Sequence, residues 1–150
     1  MKLLIKNGRV VDPVGGTISQ MDLLAENGKV ALVEKDIQCQ ADQVIDAKGL
    51  MVCPGLVDMH VHLRDPGLTY KEDIFTGTMA AARGGVTSLV CMANTSPVLD
   101  NPEQIKYVKD KAAQACGVNV YPVGAVTQYL RGRELTDFVA LKEAGAIALS

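Results

Sequence analysis

The chain has 150 residues, 48% hydrophobic and 21% charged, a balance that fits a folded, soluble protein and sets disorder aside. A formal net charge of -2, only four tyrosines and two phenylalanines, and no basic run give no reason to expect nucleic acid or an anionic membrane as partner. No apolar stretch approaches the roughly 18 residues of a membrane span, and the run opening at Leu3 stops at Lys6, too soon for an export signal.

In chain order, the first fifty residues read as short strands broken by turns. Leu3-Leu4-Ile5 and Arg9-Val10-Val11 flank Asn7-Gly8, a strong two-residue hairpin signal. Pro13 with Gly15-Gly16 marks a turn, Met21 to Ala25 a strand, and Asn27-Gly28 a second hairpin turn into Lys29 to Val33. A last short run spans Gln43 to Asp46, and no stretch has a useful helical period. Residues 1–52 are therefore expected to form a small β unit.

From Met51 the pattern becomes strand–helix alternation. Met51 to Leu63 is β-prone; Glu72 to Arg83 is rich in helix formers and stops at Gly84-Gly85. Val86 to Ala93 is a near-continuous apolar run, the mark of a strand buried on both faces. Pro102 to Cys116 reads as a helix with Asn101 as N-cap, Pro102 in the first turn and Gly117 as stop. Val118 to Val126 predicts a strand, Glu134 to Glu143 a helix, and Ala146 to Leu149 the start of another strand. The alternation implies parallel βαβ units, in a doubly wound sheet or a (β/α)8 barrel. A barrel takes eight units and about 250 residues. Three and a half units leave strand edges and helix-facing surfaces uncovered, so residues 53–150 are expected to be the opening of an incomplete barrel.

The four cysteines, Cys39, Cys53, Cys91 and Cys116, form no C-x-x-C pair and read as buried free thiols of a reducing cytoplasm. Gly84-Gly85 is a helix stop and no phosphate-loop pattern occurs. Lys71, Glu72 and Asp73 read as a charge cluster at a helix start.

The most informative stretch runs from Pro54 to Arg64, Pro-Gly-Leu-Val-Asp-Met-His-Val-His-Leu-Arg. Alternation along a strand puts Asp58, His60, His62 and Arg64 on one face and Val57, Met59, Val61 and Leu63 on the other, the second set packing under helices. His60 and His62 are the chain's two histidines. Neutral imidazoles two apart on a strand converge on one divalent ion, usually zinc, which acidifies bound water. The alternative is a pair of core histidines satisfied by hydrogen bonds. Four inward polar side chains are costly unless paired or bound to metal, which favours the ion. Asp58 either holds an imidazole from behind or is a local turn partner. The fork of Arg64 suits a carboxylate, with a rim ion pair to Asp65 as the alternative.

At these residues the chain resembles the amidohydrolase superfamily, whose members join a metal-binding barrel to a small β-sandwich. Three further motifs resemble the class I dihydroorotases: His62-Leu63-Arg64-Asp65-Pro66-Gly67, Lys71-Glu72-Asp73-Ile74 followed by Thr76-Gly77-Thr78, and Met92-Ala93-Asn94-Thr95-Ser96-Pro97-Val98. Asp65 stands where Glu is frequent and Ala93 where Pro is frequent; neither change removes a ligand.

The resemblance implies that residues 1–52 are strands of the β-sandwich and 53–150 the first three to four βα units of the barrel. It implies His60 and His62 as ligands of one or two zinc ions, and Arg64 and Asn94 as groups gripping a substrate carboxylate. An Asx turn is the alternative for Asn94. The implied reaction is the reversible opening of dihydroorotate to N-carbamoyl-aspartate, in pyrimidine synthesis. The family's next metal-site acid, two later histidines and the general-base aspartate are expected beyond Ser150, so residues 1–150 alone are expected to be inactive. An allantoinase or hydantoinase would leave Arg64 and Asn94 without a carboxylate. A non-catalytic subunit that scaffolds aspartate transcarbamoylase is expected to have lost metal ligands. A homo-oligomer or a complex with that transcarbamoylase is the partner expectation, beside the small-molecule substrate.

Overall fold

The computed structural model describes residues 1–115 and 117–150; Cys116, read above as a free thiol, lies outside the described residues. The chain divides into two compact units, Met1–Pro54 and Gly55–Ser150.

The first unit is one mixed sheet. Its strands are β1 (Lys2–Asp12), β2 (Thr17–Glu26), β3 (Lys29–Glu34), β4 (Gln43–Asp46) and β5 (Met51–Val52). The order is β3-β2-β1-β4, with β5 also on β1. Asn27-Gly28 makes the β2–β3 hairpin turn as expected, with positive φ at both residues. Asn7-Gly8 does not make a hairpin. β1 runs straight through it, and the extra residue between Ile5 and Gly8 is absorbed as a β-bulge against β2. Asn7 supplies the left-handed backbone at φ 61, and its N–H donates to Asp22 Oδ1 at 2.8 Å. The same buried carboxylate accepts from the N–H of Ile37 at 3.1 Å, so a side chain selects bulge over turn. Leu4, Leu24 and Ile37 form the small core.

The second unit alternates β6 (Leu56–Val61), α1 (Ile74–Arg83), β7 (Val86–Cys91), α2 (Pro102–Ala112), β8 (Asn119–Gly124), α3 (Phe138–Ala144) and β9 (Ala148–Leu149). The four strands are parallel and lie in the order β6-β7-β8-β9. Each strand neighbours the next, with no reversal of order, which is a barrel wall and not a doubly wound sheet. The fold is α/β, the first part of a (β/α)8 barrel preceded by N-terminal strands.

Caps set the helix starts. Asp73 accepts from the N–H of Thr76 at 2.8 Å, and Asn101 from that of Gln104 at 3.1 Å with Pro102 in the first turn. α3 starts later than the expected Glu134. Leu135 bridges Thr127, the N–H of Thr136 donates to Val126, and Asp137 is the N-cap. The core joins Leu89 and Cys91 of β7 to Ile105, Val108 and Ala112 of α2, Leu141 of α3, and Leu63, Ile74 and Leu99. Burying Ile105 and Val108 fully contributes about 2 kcal/mol each.

The apolar face expected for β6 is only half used. Leu63 is buried and Val61 half-buried, but Val57 is 61% and Met59 76% exposed. β6 lies at the sheet edge and α1 packs on β7, so no helix of the described residues covers them. The thiols differ likewise from expectation. Cys91 is buried, whereas Cys39 and Cys53 are free and exposed.

Candidate functional site

The candidate residues lie in the second half of β6 (Asp58, His60), just after it (His62, Arg64) and just after β7 (Asn94), but not by simple alternation. Three residue steps along β6, from Asp58 to Val61, span the distance of two along β7, from Leu89 to Cys91. The strand then ends at Val61, and Arg64 turns the chain with φ 59. A bulge and a left-handed residue, which re-aim side chains, replace the expected continuous face. His60 is exposed, and His62 and Arg64 are half-buried.

The two imidazoles remain adjacent, ring centroids 5.2 Å apart and planes at 70°. His62 Nδ1 donates to the Asn94 amide oxygen at 2.8 Å. That bond fixes the tautomer and leaves Nε2 of His62 with its lone pair free. It also leaves the Asn94 NH2 group available as a donor. Asp58 Oδ1 accepts from the backbone N–H of His60 at 3.0 Å, the local-partner alternative, and holds no imidazole in the structure.

The rim ion pair between Arg64 and Asp65 does not form. Asp65 pairs with Lys111, Nζ to Oδ2 at 2.6 Å, and among the described residues the Arg64 guanidinium has no carboxylate partner. The Asp65 carboxylate holds the Lys111 ammonium above its ordinary range. Tyr107 and Lys111 escaped sequence reasoning. Their one signal is i, i+4 spacing on a helix face, and their partner lies 42 residues away from Tyr107.

The loops after β6 and β7 grip one another. The N–H of Ser96 donates to Pro66 at 3.1 Å, and a side chain at Gly67 would meet the Ser96 carbonyl. On the other side, Gly77 lets α1 approach the segment after β6, since a Cβ there would lie 2.5 Å from Leu63 Cδ2.

Two adjacent imidazoles set edge to face, one with its tautomer set, fit as part of a zinc donor set. Catalytic zinc takes three protein ligands, and the described residues hold no group of three or more His, Cys, Asp or Glu disposed for a metal. Cys91 is no candidate, because burial pushes its thiol up to about 12.

The family model described as dihydro-orotase-like matches residues 49–150, more than half of the chain. The chain belongs to the dihydroorotase-like family. The dihydroorotase of Geobacter sulfurreducens is 54% identical over 151 residues, covering 100% of this chain and 36% of that protein. The dihydroorotase of Aquifex aeolicus is 47% identical over 150 residues, with the same coverage of 100% and 36%. The chain thus spans about a third of the length of these curated relatives. Among solved structures, the L-hydantoinase (dihydropyrimidinase) of Arthrobacter aurescens superposes with a TM-score of 0.85 at 29% identity, over 98% of this chain and 32% of that one. A crystal structure of a dihydroorotase, at 19% identity and a TM-score of 0.66, covers 99% of this chain and 41% of its own, and shows the fold alone.

Proposed function

We propose that this chain carries the first half of the active site of a zinc-dependent dihydroorotase, which opens dihydroorotate to N-carbamoyl-aspartate and closes it again. The observation that supports the reading is the hydrogen bond between His62, just after β6, and Asn94, just after β7, with the ring of His60 beside that of His62 and Arg64 two residues further along the chain. Barrel enzymes assemble their chemistry at that end. Family membership supports the reading, as do relatives near 50% identity that are named dihydroorotases.

His60 and His62 would hold the ion, and a divalent metal there would supply Lewis acidity toward a bound water and the ring carbonyl. Asn94 locks the His62 tautomer through its oxygen and offers its NH2 to the substrate carboxylate. Arg64 binds that carboxylate through its two-pronged guanidinium, free for the purpose because Lys111 neutralises Asp65. Asp58 stiffens the strand at His60. The enzyme works in the cytoplasm, in keeping with the free thiols of Cys39, Cys53 and Cys91. Self-association, or assembly with an aspartate transcarbamoylase, belongs to the same reading and rests on the resemblance.

A hydantoinase-type substrate fits less well, because a ring without a carboxylate leaves Arg64 unpaired. In the full-length protein, Arg64→Ala is expected to cut dihydroorotate turnover at least about 100-fold while metal content stays at the wild-type level. Full turnover by this variant removes the carboxylate role, and loss of metal makes Arg64 structural.

A further inference from the structure

The loop that carries Arg64 is anchored by a residue with no part in the chemistry above. Asp65 is fully buried, its side chain 0% exposed, and its carboxylate has three donors. Tyr107 Oη donates to Oδ1 at 2.9 Å, Lys111 Nζ sits 2.6 Å from Oδ2, and the N–H of Ile74 donates to Oδ2 at 3.3 Å. Lys111 also bonds Tyr107 Oη at 3.3 Å and lies over the rings of Phe75 and Tyr107, about 5.6 Å from each centroid. A buried charge so paired fixes the backbone that bears it, because any shift of the loop strands the carboxylate away from water.

We propose that Asp65, Lys111 and Tyr107 form a positioning triad that sets the Arg64 loop and thereby the grip on the substrate carboxylate. The triad ties three elements together at the residue next to Arg64: the loop after β6, the first turn of α1 and the outer face of α2. Arg64 itself sits in a left-handed conformation at φ 59, which a side-chain-bearing residue keeps only when its surroundings impose it. The constraint passes onward, since Arg64 O accepts from Leu68 and Pro66 O from Ser96, in the loop that carries Asn94. Lys111 is one-quarter exposed while Asp65 is fully buried, so the triad reaches from the surface of α2 inward to the Arg64 loop. None of the three residues touches substrate. The inference deepens the dihydroorotase reading and rests on Arg64 as the carboxylate ligand.

The test uses the full-length protein with Lys111→Met, the milder Tyr107→Phe, the conservative Lys111→Arg, and Lys106→Met on the same helix as control. Two readouts are taken. The first is amide exchange over residues 63–75 and 94–99, which needs no activity and so stands whether or not the dihydroorotase reading does. The second is KM and kcat for dihydroorotate with metal content measured alongside. The expected result is faster exchange in both segments for Lys111→Met and Tyr107→Phe. KM rises about tenfold for Lys111→Met and less for Tyr107→Phe, with kcat and metal content within about twofold of wild type. Lys111→Arg restores both readouts, and Lys106→Met changes neither. Unchanged exchange in Lys111→Met and Tyr107→Phe overturns the triad. Faster exchange with unchanged KM overturns its link to substrate. A wild-type protein that does not act on dihydroorotate defeats the functional reading and the substrate link with it, and exchange then decides the loop anchoring alone.

Discussion

Gly67→Ala tests the packing of the two loops that bring Arg64 and Asn94 together. Gly67 has φ 83, and a left-handed backbone costs a residue with a Cβ about 1 kcal/mol. The added Cβ would also run into the Ser96 carbonyl, so the loops must part and the Ser96-to-Pro66 hydrogen bond is lost. A lost backbone bond costs about 1 kcal/mol, and displacing a packed carbonyl adds a comparable amount, for about 3 kcal/mol in all. Gly132 makes the control, with φ 68 in the same unit and open space around it. Gly132→Ala pays the backbone term alone, about 1 kcal/mol. The assay is urea unfolding of both variants and wild type in the full-length protein, with KM for dihydroorotate measured below the transition. Equal destabilisation of the two variants refutes the steric wall at Ser96, and a large loss of stability without a rise in KM refutes the coupling of loop packing to substrate grip.

Asn101→Ala removes the cap of α2 and should cost about 1 kcal/mol, read as a lower urea midpoint, whereas Asn101→Asp should keep most of it. The bond from the Thr76 N–H holds the Asp73 carboxyl below its ordinary 3.8. A depressed carboxylate contributes stability that is present above the unfolded pKa and lost as pH falls through the folded value. The stability gap between wild type and Asp73→Ala should therefore be constant at neutral pH and narrow steadily below about pH 4, as unfolding at a series of pH values will show. Cys39 and Cys53 should alkylate quickly in the native protein, while Cys91 should react only on unfolding, by site-mapped iodoacetamide labelling.

Much of the barrel unit was legible because each signal was local. Asn101-Pro102 opened a helix and Gly84 closed one, and the apolar run from Val86 lay in a strand, although only Leu89 and Cys91 of it are buried and the burial expected on both faces is not seen. Where the sequence misled, a non-local partner had decided the outcome. Asp22 turned the Asn7-Gly8 hairpin signal into a bulge, and the pairing of Leu135 with Thr127 delayed α3. For the candidate site, the sequence offered a set of residues and not their geometry. His62 lies beside His60 and bonds to Asn94, yet strict alternation fails at the β6 bulge and at the left-handed Arg64. The bond between His62 and Asn94 joins residues 32 apart, and the one between Tyr107 and Asp65 joins residues 42 apart. No periodicity reports such pairs.

The most direct measurement is turnover of dihydroorotate, allantoin and a simple hydantoin by the full-length protein, before and after chelation and again after zinc is restored. The expected result is turnover of dihydroorotate alone, abolished by chelation, recovered with zinc, and lost in His60→Ala and His62→Ala together with bound metal. Turnover that survives chelation, or a preference for rings without a carboxylate, would contradict the assignment of His60 and His62 to the metal or of Arg64 and Asn94 to the substrate.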